Sequence, residues 1–96
     1  MFYTAICDDE VAYSQKAKAF LDKILDEKGI AHRTDCFCST EELQTAMRKC
    51  EYSLLLLDIV MDRQTGLEFA KELRRAGSRV NIVFMTSSTE YALDAY

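Results

Sequence analysis

Two periodicities take turns along this chain, and a sequence built that way has few folds open to it. Short β-branched and apolar runs read as strands, and longer stretches with apolar residues at helical spacing read as helices. Residues 2–7 form the first strand. Residues 11–28 follow with Ala17, Phe20, Leu21, Ile24 and Leu25 on one helical face, and Gly29 ends the helix. Residues 30–37 read as a second strand, partly polar and therefore at a sheet edge. Ser39-Thr40-Glu41-Glu42 is a capping box that opens a helix to about Cys50. Residues 53–58 are the third strand and 59–64 a loop, and Thr65-Gly66-Leu67-Glu68 is a second capping box whose helix runs to Ala76 before Gly77. Residues 80–86 are the fourth strand, and a helix that begins at Thr89 is still running at Tyr96. Strands alternating with helices predict an α/β fold with a parallel sheet. The unbroken leucines at 54–57 fit a parallel sheet covered on both faces.

The 96 residues fit a single domain, 1–96, and 49% hydrophobic with 29% charged residues is the balance of a folded chain rather than a disordered one. A net charge of −4 with the basic residues scattered argues against direct nucleic-acid binding, which needs clustered Lys and Arg. No apolar run approaches the roughly 20 residues of a membrane span. The N-terminus runs from Met1 straight into acids without a basic segment, so it does not read as a signal peptide, and four cysteines then point to a reducing cytoplasm.

In parallel α/β sheets ligands gather at the carboxyl ends of the strands. Here the first strand runs into Asp8-Asp9-Glu10, the third ends at Asp58, and the fourth at Thr86-Ser87-Ser88. If those strands are neighbours, the groups share one rim. Gathered carboxylates repel each other unless a cation joins them, and Mg²⁺ suits a site of oxygen ligands that must also hold phosphate. Such an ion would offset the repulsion between Asp58 and an incoming phosphoryl group and stabilise charge in its transfer. A Thr86 hydroxyl there would donate to a phosphate oxygen. Taken singly the residues say less: an acid pair after a strand serves equally as a helix N-cap, and threonine commonly ends strands. An acid closing a run of four leucines is costlier to explain away, because burying it needs a partner or a role.

Ile6-Cys7-Asp8-Asp9-Glu10, Leu56-Leu57-Asp58-Ile59-Val60-Met61 with Gly66 eight places beyond the aspartate, and Val83-Phe84-Met85-Thr86 together resemble a bacterial two-component response-regulator receiver domain. The stretch Glu90-Tyr91-Ala92-Leu93-Asp94-Ala95-Tyr96 resembles receivers joined to LytTR-type DNA-binding domains. The resemblance implies a flavodoxin-like (CheY-like) doubly wound sheet of strand order 2-1-3-4-5. It implies that Asp58 accepts a phosphoryl group from a sensor histidine kinase, and that Asp9, Asp58 and the backbone carbonyl of Val60 bind Mg²⁺, with Asp8 acting through water. Thr86 would turn toward the phosphoryl group and couple it to the surface of the fourth strand. DNA would be met only through an output domain beyond these residues. Asp62 stands where the family usually has proline. The family's fifth strand, with a lysine that pairs with the phosphoryl group, has no counterpart here, so the sequence reads as a receiver cut before that strand, four strands of the usual five. The fourth strand, with Ile82, Val83 and Phe84, would then be an apolar edge, a template for self-association.

Other readings compete. A Mg²⁺-dependent aspartyl phosphatase would want a second acid two places beyond its nucleophile, where this chain has Val60. A pseudo-receiver that binds protein without taking phosphate would explain the absent lysine. His32, Cys36 and Cys38 fall on one strand face by alternation, but a metal site there lacks a clear fourth ligand, and small buried cysteines are the commoner case.

Overall fold

The computed structural model describes residues 1–59 and 66–85. Its elements are β1 (Phe2–Cys7), α1 (Val11–Glu27), β2 (His32–Phe37), α2 (Thr40–Met47), β3 (Leu54–Asp58), α3 (Gly66–Arg75) and β4 (Asn81–Met85). The expected helix from Thr89 lies outside the described residues. The four strands form one sheet in the order β2-β1-β3-β4, all pairs parallel. This is the α/β arrangement expected from the alternating periods, with β2 at one edge as its polar residues suggested.

Local chemistry explains most element ends. Ser39 is the N-cap of α2 and its hydroxyl accepts the amide of Glu42 at 3.2 Å, while Glu42 reaches back to accept the amide of Cys38 at 2.8 Å. The capping box is thus formed, with its return bond one residue earlier than usual. Gly29 and Gly77, after α1 and α3, adopt φ of +69° and +89°. These left-handed turns favour a residue without Cβ.

The core lies on one face of the sheet. Ala5 and Cys7 of β1 and Leu55 and Leu57 of β3 meet Leu43 of α2, Tyr52, and Phe69 and Ala70 of α3, with Ile82 and Phe84 of β4 against its margin. Alternate residues face the other way. There α1 packs on β2 and β1, and Thr4 and Ile6 are fully buried. Leu54 and Leu56 are only partly buried, so the continuous apolar strand is covered completely on one face alone among the described residues. Val83 of β4 is 50% exposed.

One expectation is corrected. Phe20, read as part of the inward face of α1, is 69% exposed. Ser14 and Leu25 are the buried residues of this helix. At about 100° per residue Phe20 lies roughly 120° around the axis from them, too far to reach the sheet.

Candidate phosphoryl and cation site

Parallel pairing sets the site. Cys7 of β1 is opposite Leu57 of β3, and Asp58 is opposite Met85 of β4. Chain continuing past Cys7 therefore emerges beside the end of β3. One carboxylate oxygen from each of Asp8, Asp9 and Asp58 lies within 4.8 Å of the other two. Val60 and Thr86, expected as a carbonyl ligand and a phosphate-contacting hydroxyl, lie outside the described residues, as does Asp62.

Backbone bonds hold the rim. The Asp8 amide donates to the Phe37 carbonyl at 3.1 Å, and the Ile59 amide donates to the Met85 carbonyl at 3.1 Å. Asp8 is 5% exposed, and its Oδ1 accepts the Glu10 amide at 2.9 Å. Glu10, not an aspartate, is the N-cap residue of α1, and its own side chain makes no cap bond; Asp8 serves the helix start through the Glu10 amide. Gly66 opens α3 directly against the site. A Cβ there would run into the carbonyl oxygen of Asp58 and stand 3.0 Å from its carbonyl carbon. The glycine eight places after Asp58 is thus required by close backbone approach, and the Gly66 amide donates to the Ile59 carbonyl at 3.0 Å.

The electrostatics suit a cation. Burial pushes the Asp8 carboxyl above its ordinary value; the Glu10 amide pulls the other way, and the charge of Asp9 adds to the rise. A folded state that binds this proton more tightly than the unfolded chain is fully favoured below the ordinary value of 3.8 and loses that advantage as pH rises through the folded value. At neutral pH the ionised Asp8 carboxylate therefore costs the fold stability that a bound cation would offset. Asp8→Asn, which keeps the acceptor for Glu10, is expected to raise apo stability at pH 7 and to weaken Mg²⁺ binding. Urea unfolding with and without Mg²⁺ checks both. An all-oxygen set of three carboxylates fits a hard divalent ion.

Elsewhere the cysteines carry no site. None of the four is in a disulfide. Cys7 is a core residue whose thiol burial, and then the charge of Asp8, push up to about 12, which keeps it inert. The His32, Cys36 and Cys38 grouping fails: Cys38 lies past the end of β2 and is exposed, and both His32 ring nitrogens are engaged by other partners. Those partners, Asp22 above all, were invisible to sequence reasoning, since Asp22 is ten residues upstream on another element.

The profile described as response regulator receiver domain matches residues 5–96. No curated protein sequence matches the chain. Among solved structures, the response regulator TrrA from Thermotoga maritima in complex with Mg(2+)-BeF is 29% identical, with a TM-score of 0.72 over 98% of this chain and 76% of that one. The MaeR response regulator bound to beryllium trifluoride is 21% identical, with a TM-score of 0.81 over 99% and 76%. A CheY-like receiver domain from Methylobacillus flagellatus is 18% identical, with a TM-score of 0.76 over 100% and 81%.

Proposed function

The chain belongs to the response regulator receiver domain family, a two-component signalling module, and on that premise we propose that Asp58 is its phosphoacceptor and that Mg²⁺ serves the transfer. The observation that supports this reading is the convergence of Asp8, Asp9 and Asp58 to within 4.8 Å at the strand tips. TrrA is described in complex with Mg(2+)-BeF, a cation and phosphoryl mimic of the kind assigned to this cluster.

In the proposed step a carboxylate oxygen of Asp58 attacks the phosphorus of a phosphohistidine on a sensor kinase. The new O–P bond forms as the P–N bond breaks, and the imidazole leaves with its electron pair. Bound Mg²⁺ would neutralise charge on the transferring oxygens. Asp9 and Asp58 would hold it directly, with the Val60 carbonyl, and Asp8 through water. Gly66 allows α3 to sit against Asp58 and fixes the acceptor from behind. Thr86 would hydrogen-bond the bound phosphoryl group. The role is a switch without turnover on an external substrate.

The LytTR-type output rests on residues 90–96, as does contact with DNA through that output. A cytoplasmic location agrees with the absence of any helix long and apolar enough to cross a membrane among the described residues. A second copy of the chain is a further proposed partner, by way of the β4 edge and its half-exposed Val83.

The test is to add Mg²⁺ with beryllofluoride and follow backbone amide chemical shifts near Asp58. Shifts that need both reagents support the switch. No response would favour the pseudo-receiver, and steady release of phosphate from unrelated esters would favour the phosphatase.

A further inference from the structure

A second polar cluster lies away from the acidic rim, where α1 meets the start of β2. Asp22 collects three donors there. Its Oδ1 accepts from His32 Nε2 at 3.0 Å and from Thr34 Oγ1 at 2.9 Å, and its Oδ2 accepts from Lys18 Nζ at 2.7 Å. The other ring nitrogen of His32, Nδ1, stands 2.9 Å from the carbonyl oxygen of Ile30 and 3.9 Å from Asp26 Oδ1. The His32 side chain is only 11% exposed.

Both ring nitrogens therefore face oxygen acceptors. A neutral imidazole has one N–H and one lone pair, so it can satisfy only one of them. The doubly protonated ring satisfies both and places a positive charge between Asp22 and Asp26. We propose that His32 is a proton-operated clamp: when protonated, this first residue of edge strand β2 holds both Asp22 of α1 and the Ile30 carbonyl in the connection between α1 and β2, and when deprotonated it keeps only one of the two. The location gives the clamp leverage. His32 is in register with Phe2 of β1, and the Phe2 amide donates to the Ala31 carbonyl at 2.9 Å, so the same corner anchors the start of the strand that leads to Asp8.

The surrounding charges agree. From α1 the ring meets Asp22 and Asp26, with Lys18 behind Asp22; from β2 the same face offers Thr34 and Cys36, and Arg33 points away to Asp35. The Ile30 carbonyl first, and then the Asp22 carboxylate, hold the ring's pKa above its ordinary value of 6.5, against partial burial. The stabilisation is thus complete below 6.5 and is lost as pH rises through the folded-state value.

The chain has one histidine, so an imidazole NMR titration of the intact protein reads this ring alone. The midpoint is expected above 6.5, and lower in Asp22→Asn than in the native chain. The folding equilibrium should weaken as pH rises through that midpoint, by up to about tenfold for each unit separating it from the unfolded value. His32→Gln should remove that slope; this control is needed because Asp8 adds a slope of the same sign from lower pH. A native midpoint at or below 6.5 overturns the clamp, and so does an unchanged slope in His32→Gln. If His32→Gln fails to fold, the native titration alone decides.

Discussion

Asp58→Asn is expected to take up no phosphoryl group at all from a small phospho-donor with Mg²⁺, while remaining folded. The amide has no anionic oxygen to attack phosphorus, so the loss is complete rather than partial. The fold should survive because Asp58 ends β3 and contributes charge rather than packing at the crowded rim. In the absence of cation the variant should be more stable than the native chain, since one carboxylate of the gathered three is gone. Intact mass after brief exposure to donor and a urea unfolding curve read the two effects. Label that persists on the variant would mean that Asp8 or Asp9 accepts the group instead, and would remove Asp58 from the centre of the mechanism.

Gly66→Ala is expected to cost about 3 kcal/mol, at the upper end of the usual range for overpacking. The added methyl meets the Asp58 backbone, which cannot rotate aside as a flexible side chain would. Against a total stability of about 5–15 kcal/mol for a domain, that loss removes much of the margin. Any relief must come from α3 moving away from β3 or from Asp58 shifting, so Mg²⁺ affinity should fall in parallel. Thermal unfolding together with a Mg²⁺ titration measures both. A variant as stable as the native chain would show that the start of α3 yields easily and that Gly66 is not what fixes Asp58.

Much of the fold was legible because it rests on local rules. The strand ends at Cys7 and Asp58 and the cap at Ser39 emerged where short-range pattern placed them. The second strand begins at His32 rather than at Ile30, and α2 stops at Met47 rather than near Cys50. Hydrophobic spacing marks the middle of an element better than its last turn. Phe20 was misplaced for a related reason: spacing shows that a helix has an apolar face, but the neighbouring sheet selects which arc is buried.

The acids were legible as a group, since strand tips in a parallel sheet must share a rim. Their sequence alone left capping and ligand roles equal for Asp8 and Asp9. The pairing of β1 with β3 brings the two tips side by side, while Glu10 takes the N-cap position and Asp8 accepts its amide.

By itself, the order of residues determined the alternation of strands and helices, the polar edge of β2 and the charge of the rim. These depend on periodicity and on chemistry a few residues apart. Tertiary structure decided that Asp8, Asp9 and Asp58 stand within 4.8 Å, that Gly66 must lack a side chain because of Asp58, and that His32 bridges Asp22 and Ile30. The first of these rests on the pairing of β1 with β3, the second on where α3 starts against the end of β3, and the third on α1 lying over β2, and none of those placements follows from short-range pattern.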